Sequence, residues 1–380
     1  MERSGFSEDH QLFREAYRRF LEREVLPHRE TWQEAGMVPR EMFQRMGEQG
    51  FLMIWAPESL GGLGDWDFRF QQIMIEEDAQ LGEPGFFHTL HSRLVGPYLY
   101  HVGSTEQQSR FIPRCASGEH ILAVAMTEPD AGSDVAGIKT RAVREGDSWL
   151  LSGSKTYISN GIQADLIIVA AKTDHNNSRK IGLFVVEAGM EGFVRGRNLA
   201  KLGLKAQDTA ELFFSNVRVP AANVLGDPAK GMHYLMQGLV EERLIAACLS
   251  LAAAQRAFAI TRSYVIDRKV FGQSLAKLQN TRFKLAELRA QLDVLQVFVD
   301  HCVASHNQGN LTTTLAAEAK LLCSELEGKM VDEGVQLHGG AGFMAEYEIC
   351  KLYANARVSR ILAGTSEIMK ELIARDCLDS

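Results

Sequence analysis

The sequence predicts an α+β protein of several domains: an N-terminal helical domain over residues 1–121, a middle antiparallel β-barrel or sandwich over 122–230, and a C-terminal helical bundle over 231–380. Three observations carry this. Apolar residues recur at helical spacing in the first and last parts. Short β-branched or aromatic runs, divided by turn residues, fill the middle. No helix-length pattern alternates with those runs, which argues against a parallel sheet. At 380 residues the chain also exceeds one ordinary domain.

In the first part Phe6, Leu12, Phe13, Ala16, Phe20, Leu21 and Val25 form an apolar stripe that Pro27 is expected to close. Pro57 and Gly61-Gly62-Leu63-Gly64 read as a loop; the glycines lack the full spacing of a dinucleotide fingerprint, and no βαβ pattern surrounds them. In the middle part the runs at 149–153, 166–170, 181–186 and 211–214 read as strands, with turns at 144–147 and 174–177. In the last part Leu285, Leu288, Leu292, Leu295, Val299 and Cys302 step by threes and fours, as one packed face of a bundle helix does, and 307–310 reads as the turn that follows. The chain shows no internal repeat and no low-complexity tract.

The formal charge of −7, with no basic run, argues against nucleic acid and anionic membranes as partners. The six cysteines are scattered without a C-x-x-C pair, so reduced core thiols in a cytoplasmic protein are expected. No apolar signal core opens the sequence, and no apolar run is expected to reach transmembrane length; a mitochondrial matrix location applies only to a chain that has lost a presequence. The sequons at 176–178 and 310–312 are read as chance matches. No metal-ligand spacing is present.

Several segments could carry chemistry. Met126-Thr127-Glu128-Pro129-Asp130-Ala131-Gly132-Ser133-Asp134 forces a loop with exposed backbone N–H groups, suited to a phosphate or a flavin edge, though by composition alone it is a plain turn. Lys155-Thr156-Tyr157-Ile158-Ser159-Asn160-Gly161 reads as a strand running into a turn. Arg268 offers a bidentate, permanently charged fork close to Phe271 and Gln279. Paired glycines after Gln336-Leu337-His338 let a ligand approach the backbone; a lone histidine at a helix end is more often structural, and His338 is left out of the site. Glu241 and Glu242 open an apolar helical run, and successive helix positions point ~100° apart, so only one can face a given ligand.

These segments, in order and over essentially the whole chain, resemble the acyl-CoA dehydrogenase family, and 204–214 and 367–375 are similar to its long-chain branch. The resemblance implies a C-terminal four-helix bundle, bound FAD, an acyl-CoA substrate, an electron-transfer flavoprotein as partner and a homotetramer built as a dimer of dimers. It assigns Met126, Thr127, Gly132, Ser133, Tyr157, Ser159, Thr365 and Glu367 to the flavin. Arg268, Phe271 and Gln279 reach the FAD of a neighbouring subunit, and Gln336 and Gly340 lie at its adenine half. Ser133 contacts pantetheine, Arg243 positions acyl-CoA, and Ala363 and Gly364 meet the thioester. Three positions depart from the family pattern: Asp130 replaces glycine, Tyr157 replaces tryptophan and Ser159 replaces threonine.

The implied reaction is α,β-dehydrogenation of an acyl thioester. In Arg360-Ile361-Leu362-Ala363-Gly364-Thr365-Ser366-Glu367 the residue before Gly-Thr, often the catalytic glutamate in that family, is Ala363, which cannot take a proton. The base is therefore expected at Glu242, where the long-chain and isovaleryl-type members carry theirs, with Glu241 its rival by adjacency. The backbone N–H of Ala363 remains to polarise the thioester carbonyl. The segment 85–92 is expected to line the acyl pocket. An oxygen-using oxidase, a flavin monooxygenase, a dehydrogenase of carrier-protein thioesters and a non-catalytic binding protein stay as alternatives.

Overall fold

The structure, a computed structural model, describes residues 3, 5–174, 177 and 180–378; two residues of the sequon at 176–178 and two of the turn at 174–177 lie outside the described residues. Helix α1 (Glu8–Phe20) begins where Ser7 and His10 cap one another reciprocally. Pro27 does not close this helical path, contrary to expectation. The backbone widens into a π turn at Leu21–Val25, tightens into a 3-10 turn at Leu26–His28 and resumes as α2 (Arg29–Ala35). Proline is tolerated there because it enters the first turn of a new segment, where no N–H is needed, and the π turn absorbs the break.

Helices α3 (Glu41–Glu48), α4 (Phe68–Leu81), α5 (Gly96–His101) and α6 (Thr105–Ala116) complete the first region. Helix α4 joins two cores. Its Met74 packs with Tyr17 and Phe20 of α1, while its Phe68 and Ile75 belong to the core of the C-terminal helices.

Eight strands follow: β1 (Leu122–Ala125), β2 (Arg141–Glu145), β3 (Ser148–Ser159), β4 (Leu166–Lys172), β5 (Ile181–Glu187), β6 (Phe193–Asn198), β7 (Thr209–Pro220) and β8 (Val224–Leu225). They form one sheet in the order β6-β7-β3-β2-β4-β5-β8, with β1 also on β4. Pairing is antiparallel except where β4 meets β1 and β2 in parallel. Strands β4 and β5 are buried on both faces: Ile168, Ala170, Leu183 and Val185 meet Trp55, Leu99 and Phe111, while Ile167, Val169, Phe184 and Val186 fill the core of the sheet itself.

The third region holds α7 (Gly231–Asp267), a small hairpin of β9 (Lys269–Val270) and β10 (Gln273–Ser274), then α8 (Gln279–Asn307), α9 (Thr313–His338), α10 (Glu348–Ala356) and α11 (Ser366–Leu378). On α8 the expected stripe is the buried one: Leu288, Leu292, Leu295, Val299 and Cys302 face inward. Helix α7 corrects one expectation, since its 37 residues do include a stretch long and apolar enough to cross a membrane. That stretch is the core helix of the bundle. Ala247, Ala254 and Ala257 lie fully buried along it and let its neighbours pack closely.

Candidate active site

Near the start of α7 two adjacent carboxylates have opposite surroundings. Glu241 Oε1 accepts from Arg93 Nε at 2.6 Å, and its Oε2 pairs with His306 Nε2 at 2.9 Å. Burial opposes ionisation of Glu241, but Arg93 and His306 outweigh it and hold the carboxyl below its usual range. Arg93 is itself buried, lying over the rings of Trp66 and Phe68.

Glu242 points elsewhere. Its Oε2 is buried with no hydrogen-bond partner among the described residues. Burial pushes this carboxyl up to about 7, with only Arg243 pulling it back. A desolvated, unpaired carboxylate binds a proton more tightly than one in water and exchanges it near neutrality, as suits a general base. One turn earlier, the α-carbon of Gly238 lies against Tyr98, whose hydroxyl burial raises with Glu242 and Glu241 nearby.

The turn that resembles the flavin loop follows a 3-10 segment, Arg357–Arg360. Ala363 has φ 56° and Gly364 φ 95°, so two successive residues are left-handed. An alanine there is strained by about 1 kcal/mol and persists only because its surroundings impose it. The carbonyl of Gly364 accepts from Lys320 Nζ at 2.7 Å, and Thr365 Oγ1 caps α11 by accepting from Ile368 N at 3.3 Å. Glu367, in the first turn of α11, is exposed.

On the sheet, β3 carries irregularities between Leu151 and Gly153 and between Lys155 and Ile158. The second turns Tyr157 outward at φ 60° and 69% exposure, a large aromatic left facing open space. The same stretch clasps the loop before β2. Lys155 Nζ donates to Met126 O and to Glu128 Oε1, both at 2.8 Å, and Thr156 N donates to Thr127 O at 3.0 Å. Buried Glu128 also accepts from the backbone of Lys139 and Thr140. Gly132 and Ser133 at the loop tip stand open, and Ser159 is half-buried. The structure thus gathers Met126, Thr127, Gly132, Ser133, Tyr157 and Ser159 on one part of the sheet, while Lys320, which holds Gly364 O and feels both Arg243 and Glu367, links α7 to the turn that carries Ala363, Gly364 and Thr365.

The remaining expected residues lie apart. Arg268 follows the last residue of α7, twenty-six positions after Glu242, which in a continuous helix is roughly 39 Å away. Phe271 at the tip of the small hairpin is 96% exposed, and Arg268, Gln279, Gln336 and Gly340 are exposed around the same end of the bundle. Tyr264, stacked on His338 and donating to its carbonyl at 3.1 Å, ties the ends of α7 and α9 together there. One dinucleotide cannot touch both groups within a single chain. Each group fits part of such a cofactor: an open aromatic and free backbone on the sheet, an exposed guanidinium and side-chain-free glycine backbone at the far end.

Sequence models of the acyl-CoA dehydrogenase N-terminal, middle and C-terminal domains match residues 7–119, 123–217 and 229–378. The chain belongs to the acyl-CoA dehydrogenase family. It is 47% identical over 374 residues to the mitochondrial long-chain specific acyl-CoA dehydrogenase of Sus scrofa, covering 98% of this chain and 87% of that one. The mitochondrial isovaleryl-CoA dehydrogenase of Pongo abelii is 34% identical, covering 98% and 89%. A crystal structure of an acyl-CoA dehydrogenase from Geobacillus kaustophilus superposes with a TM-score of 0.97 at 43% identity over 99% of this chain and all of that one. A glutaryl-CoA dehydrogenase from Mycobacterium smegmatis in complex with FADH2 follows at 0.91 and 29%, covering 99% and 96%. This acyl-CoA dehydrogenase is therefore an FAD-dependent oxidoreductase.

Sequence reasoning overlooked several residues of the acyl-CoA dehydrogenase site. Arg93 and His306 lie far from Glu241 in sequence, and nothing local announces their pairing. Lys320 and Glu327 had a legible signal, being charged residues on the apolar face of a core helix. The segment 85–92 serves mainly as core: His88 sits between Asp78 and Tyr17, and His91 spans Cys115 O and Leu122 N, with burial lowering its pKa to about 4.

Proposed function

We propose that this acyl-CoA dehydrogenase acts on long-chain or branched saturated acyl-CoAs, forming the trans-2-enoyl-CoA with Glu242 as the base and an electron-transfer flavoprotein as the acceptor. The observation that carries the assignment is the unpartnered, desolvated Oε2 of Glu242, in a chain whose Ala363 has no acid to offer. FAD, when bound, accepts the β-hydrogen as hydride. Glu242 takes the α-proton; desolvation raises its basicity toward that weak acid. The backbone N–H of Ala363, fixed by the left-handed turn, is available to the thioester oxygen as negative charge develops there. Buried Arg243, whose Nε lacks a partner among the described residues, holds the acyl-CoA and keeps positive potential beside the base.

Long chains are favoured because relatives of that name share 47% identity with this chain, and branched ones because base and turn are divided as in the isovaleryl-type branch. Met126, Thr127, Gly132, Ser133, Tyr157, Ser159, Thr365 and Glu367 hold the flavin in this reading. Arg268, Phe271, Gln279, Gln336 and Gly340 hold the adenosine half for another subunit, in keeping with a homotetramer. The test is an anaerobic visible titration of the FAD-loaded protein with straight and branched acyl-CoAs of graded length. Bleaching by long or branched members supports the proposal. Bleaching by short straight chains alone removes the substrate assignment, rapid peroxide formation removes the acceptor, and bound FAD that never bleaches removes the acyl-CoA reading.

A further inference from the structure

One face of α9 breaks the rule for a core helix. Lys320, Ser324, Glu327 and Gly328 follow one another at helical spacing and are buried, where apolar residues are expected. Lys320, Glu327 and Gly328 meet the segment 359–364. Lys320, with no exposed surface, donates to Gly364 O at 2.7 Å. Glu327, its Oε2 buried without a hydrogen-bond partner among the described residues, lies close enough to Ser359 and, on α7, Ser250 for both to favour its charged form. Gly328 has no side chain where the guanidinium of Arg360 lies, 3.1 Å from the position of a Cβ. Just beside this face, Glu325 Oε1 accepts from Ser366 Oγ at 2.7 Å, and its Oε2 lies 3.6 Å from Arg360 Nη1.

The placement of Lys320 calls for a reason. An ammonium buried without a carboxylate within ion-pair distance, among the described residues, is costly. Burial lowers its pKa to about 8, with Glu325, Glu367 and Glu327 acting only from a distance and Arg243 opposing. A leucine would pack the bundle better. What a leucine cannot do is hold a carbonyl in a turn that has two successive left-handed residues, one of them an alanine.

We propose that Lys320 is a positioning residue for the dehydrogenation: by holding the Gly364 carbonyl, with Glu325 on Ser366 as a second tether, it fixes the turn so that the Ala363 N–H meets the thioester oxygen. This rests on the proposed role of that N–H. Positioning of this kind matters because a donor misplaced by about 1 Å can cost on the order of a hundredfold in rate. The ammonium acts through the turn and touches neither the substrate nor the reacting atoms.

The test compares FAD-loaded wild type with Lys320→Met in two readings, steady-state kcat and KM, and the absorbance of a bound aryl-acryloyl-CoA, whose band moves to the red when its carbonyl is polarised. The expected result is a kcat lower by about tenfold or more, a KM little changed, most of the red shift lost, and a melting temperature not reduced. A variant with wild-type red shift and kcat overturns the proposal, as does one whose kcat falls only in step with lost FAD or stability. A wild type that shows no red shift overturns the carbonyl reading as well. If Lys320→Met prevents folding, Ser366→Ala loosens only the second tether, its bond to Glu325; a smaller loss in the same two readings supports the clamp, and none overturns it.

Discussion

Glu241 and Glu242 are adjacent in the chain, yet one carboxylate is locked between Arg93 and His306 while the other presents a buried oxygen with no partner. The ~100° turn between successive helix positions separates them. It gives one residue to structure and leaves the other for chemistry. Replacing Glu242 by Gln keeps shape and volume but removes the base. Turnover is expected to fall by at least about 10²–10⁴-fold with FAD still bound, measured as the anaerobic rate of flavin bleaching by acyl-CoA. Glu241→Gln should leave most of that rate, and a reversal of the two results would exchange their roles.

The raised pKa of Glu242 makes two pH predictions of opposite sign. Activity at limiting substrate should rise through pH of about 7 as the base ionises. Stability should move the other way. The folded state binds a proton that the unfolded state has already released between about 4.5 and 7, so the group contributes stability below its unfolded pKa and loses it as pH rises through the folded one. The loss from Glu242 is on the order of 3 kcal/mol, and Glu327, which burial also pushes up to about 7, adds to it in the same window. Denaturation midpoints of wild type and Glu242→Gln across that range should converge at acid pH and diverge toward neutrality, the variant being the more stable. Parallel profiles would show that Glu242 ionises normally.

Much of this was legible in sequence, for physical reasons that differ by element. The stripe on α8 and the strands β4 and β5 announce themselves because burial imposes a period on their apolar residues. Strands β1, β2, β6 and β8 do not, being short or polar on one face, with pairing decided by partners distant in sequence. Pro27 misled because a proline ends a regular helix but not a path that can widen into a π turn. At the site, Glu242 could be proposed as the base from the missing acid at 363, whereas the tertiary partners that make its surroundings differ from those of Glu241 could not be read. Lys320 left a trace, a charge where the helical pattern asks for an aliphatic side chain.

Arg93 gives a stability prediction. Arg93→Met keeps the stem over Trp66 and Phe68 but strips Glu241 of its nearest cation, leaving a buried carboxylate held only by His306. Breaking one side of a buried pair costs about 3–5 kcal/mol. The urea midpoint should fall accordingly, and the double variant with Glu241→Leu should recover much of the loss, since no charge is then left unpaired. If the single variant matched wild type, the pair would be incidental.

Gly238 and Tyr98 make a second coupled pair. A Cβ on Gly238 would lie 2.3 Å from the Tyr98 hydroxyl oxygen, a separation no packed structure keeps. Gly238→Ala must push the ring or the helix one turn below Glu242, with an overpacking cost of about 1–3 kcal/mol and a reduced kcat. Tyr98→Phe removes the clashing oxygen, and adding it should restore part of both losses. Additive effects in the double-mutant cycle would mean that the two positions do not touch.

The separation between the two halves of the expected cofactor site leads to the last prediction. Roughly 39 Å of continuous helix lies between Glu242 and Arg268, so an FAD whose flavin lies near Glu242 must take its adenosine contacts from a second copy of the chain. Phe271, 96% exposed on the small hairpin, and Phe283, 60% exposed on α8, are side chains that water solvates poorly and a partner would cover. Sedimentation of the holoprotein should therefore show a homo-oligomer. Arg268→Ala should weaken FAD retention on dilution while the flavin-loaded fraction keeps its bleaching rate, because in the proposed arrangement the guanidinium holds the pyrophosphate, far from the reacting carbons. Mixing Arg268→Ala with Glu242→Gln chains supplies the decisive comparison. A hybrid in which an intact Arg268 serves the site of an intact Glu242 on the other chain recovers tight FAD and turnover together; a monomer that retains FAD and bleaches it would show that one chain holds the whole site.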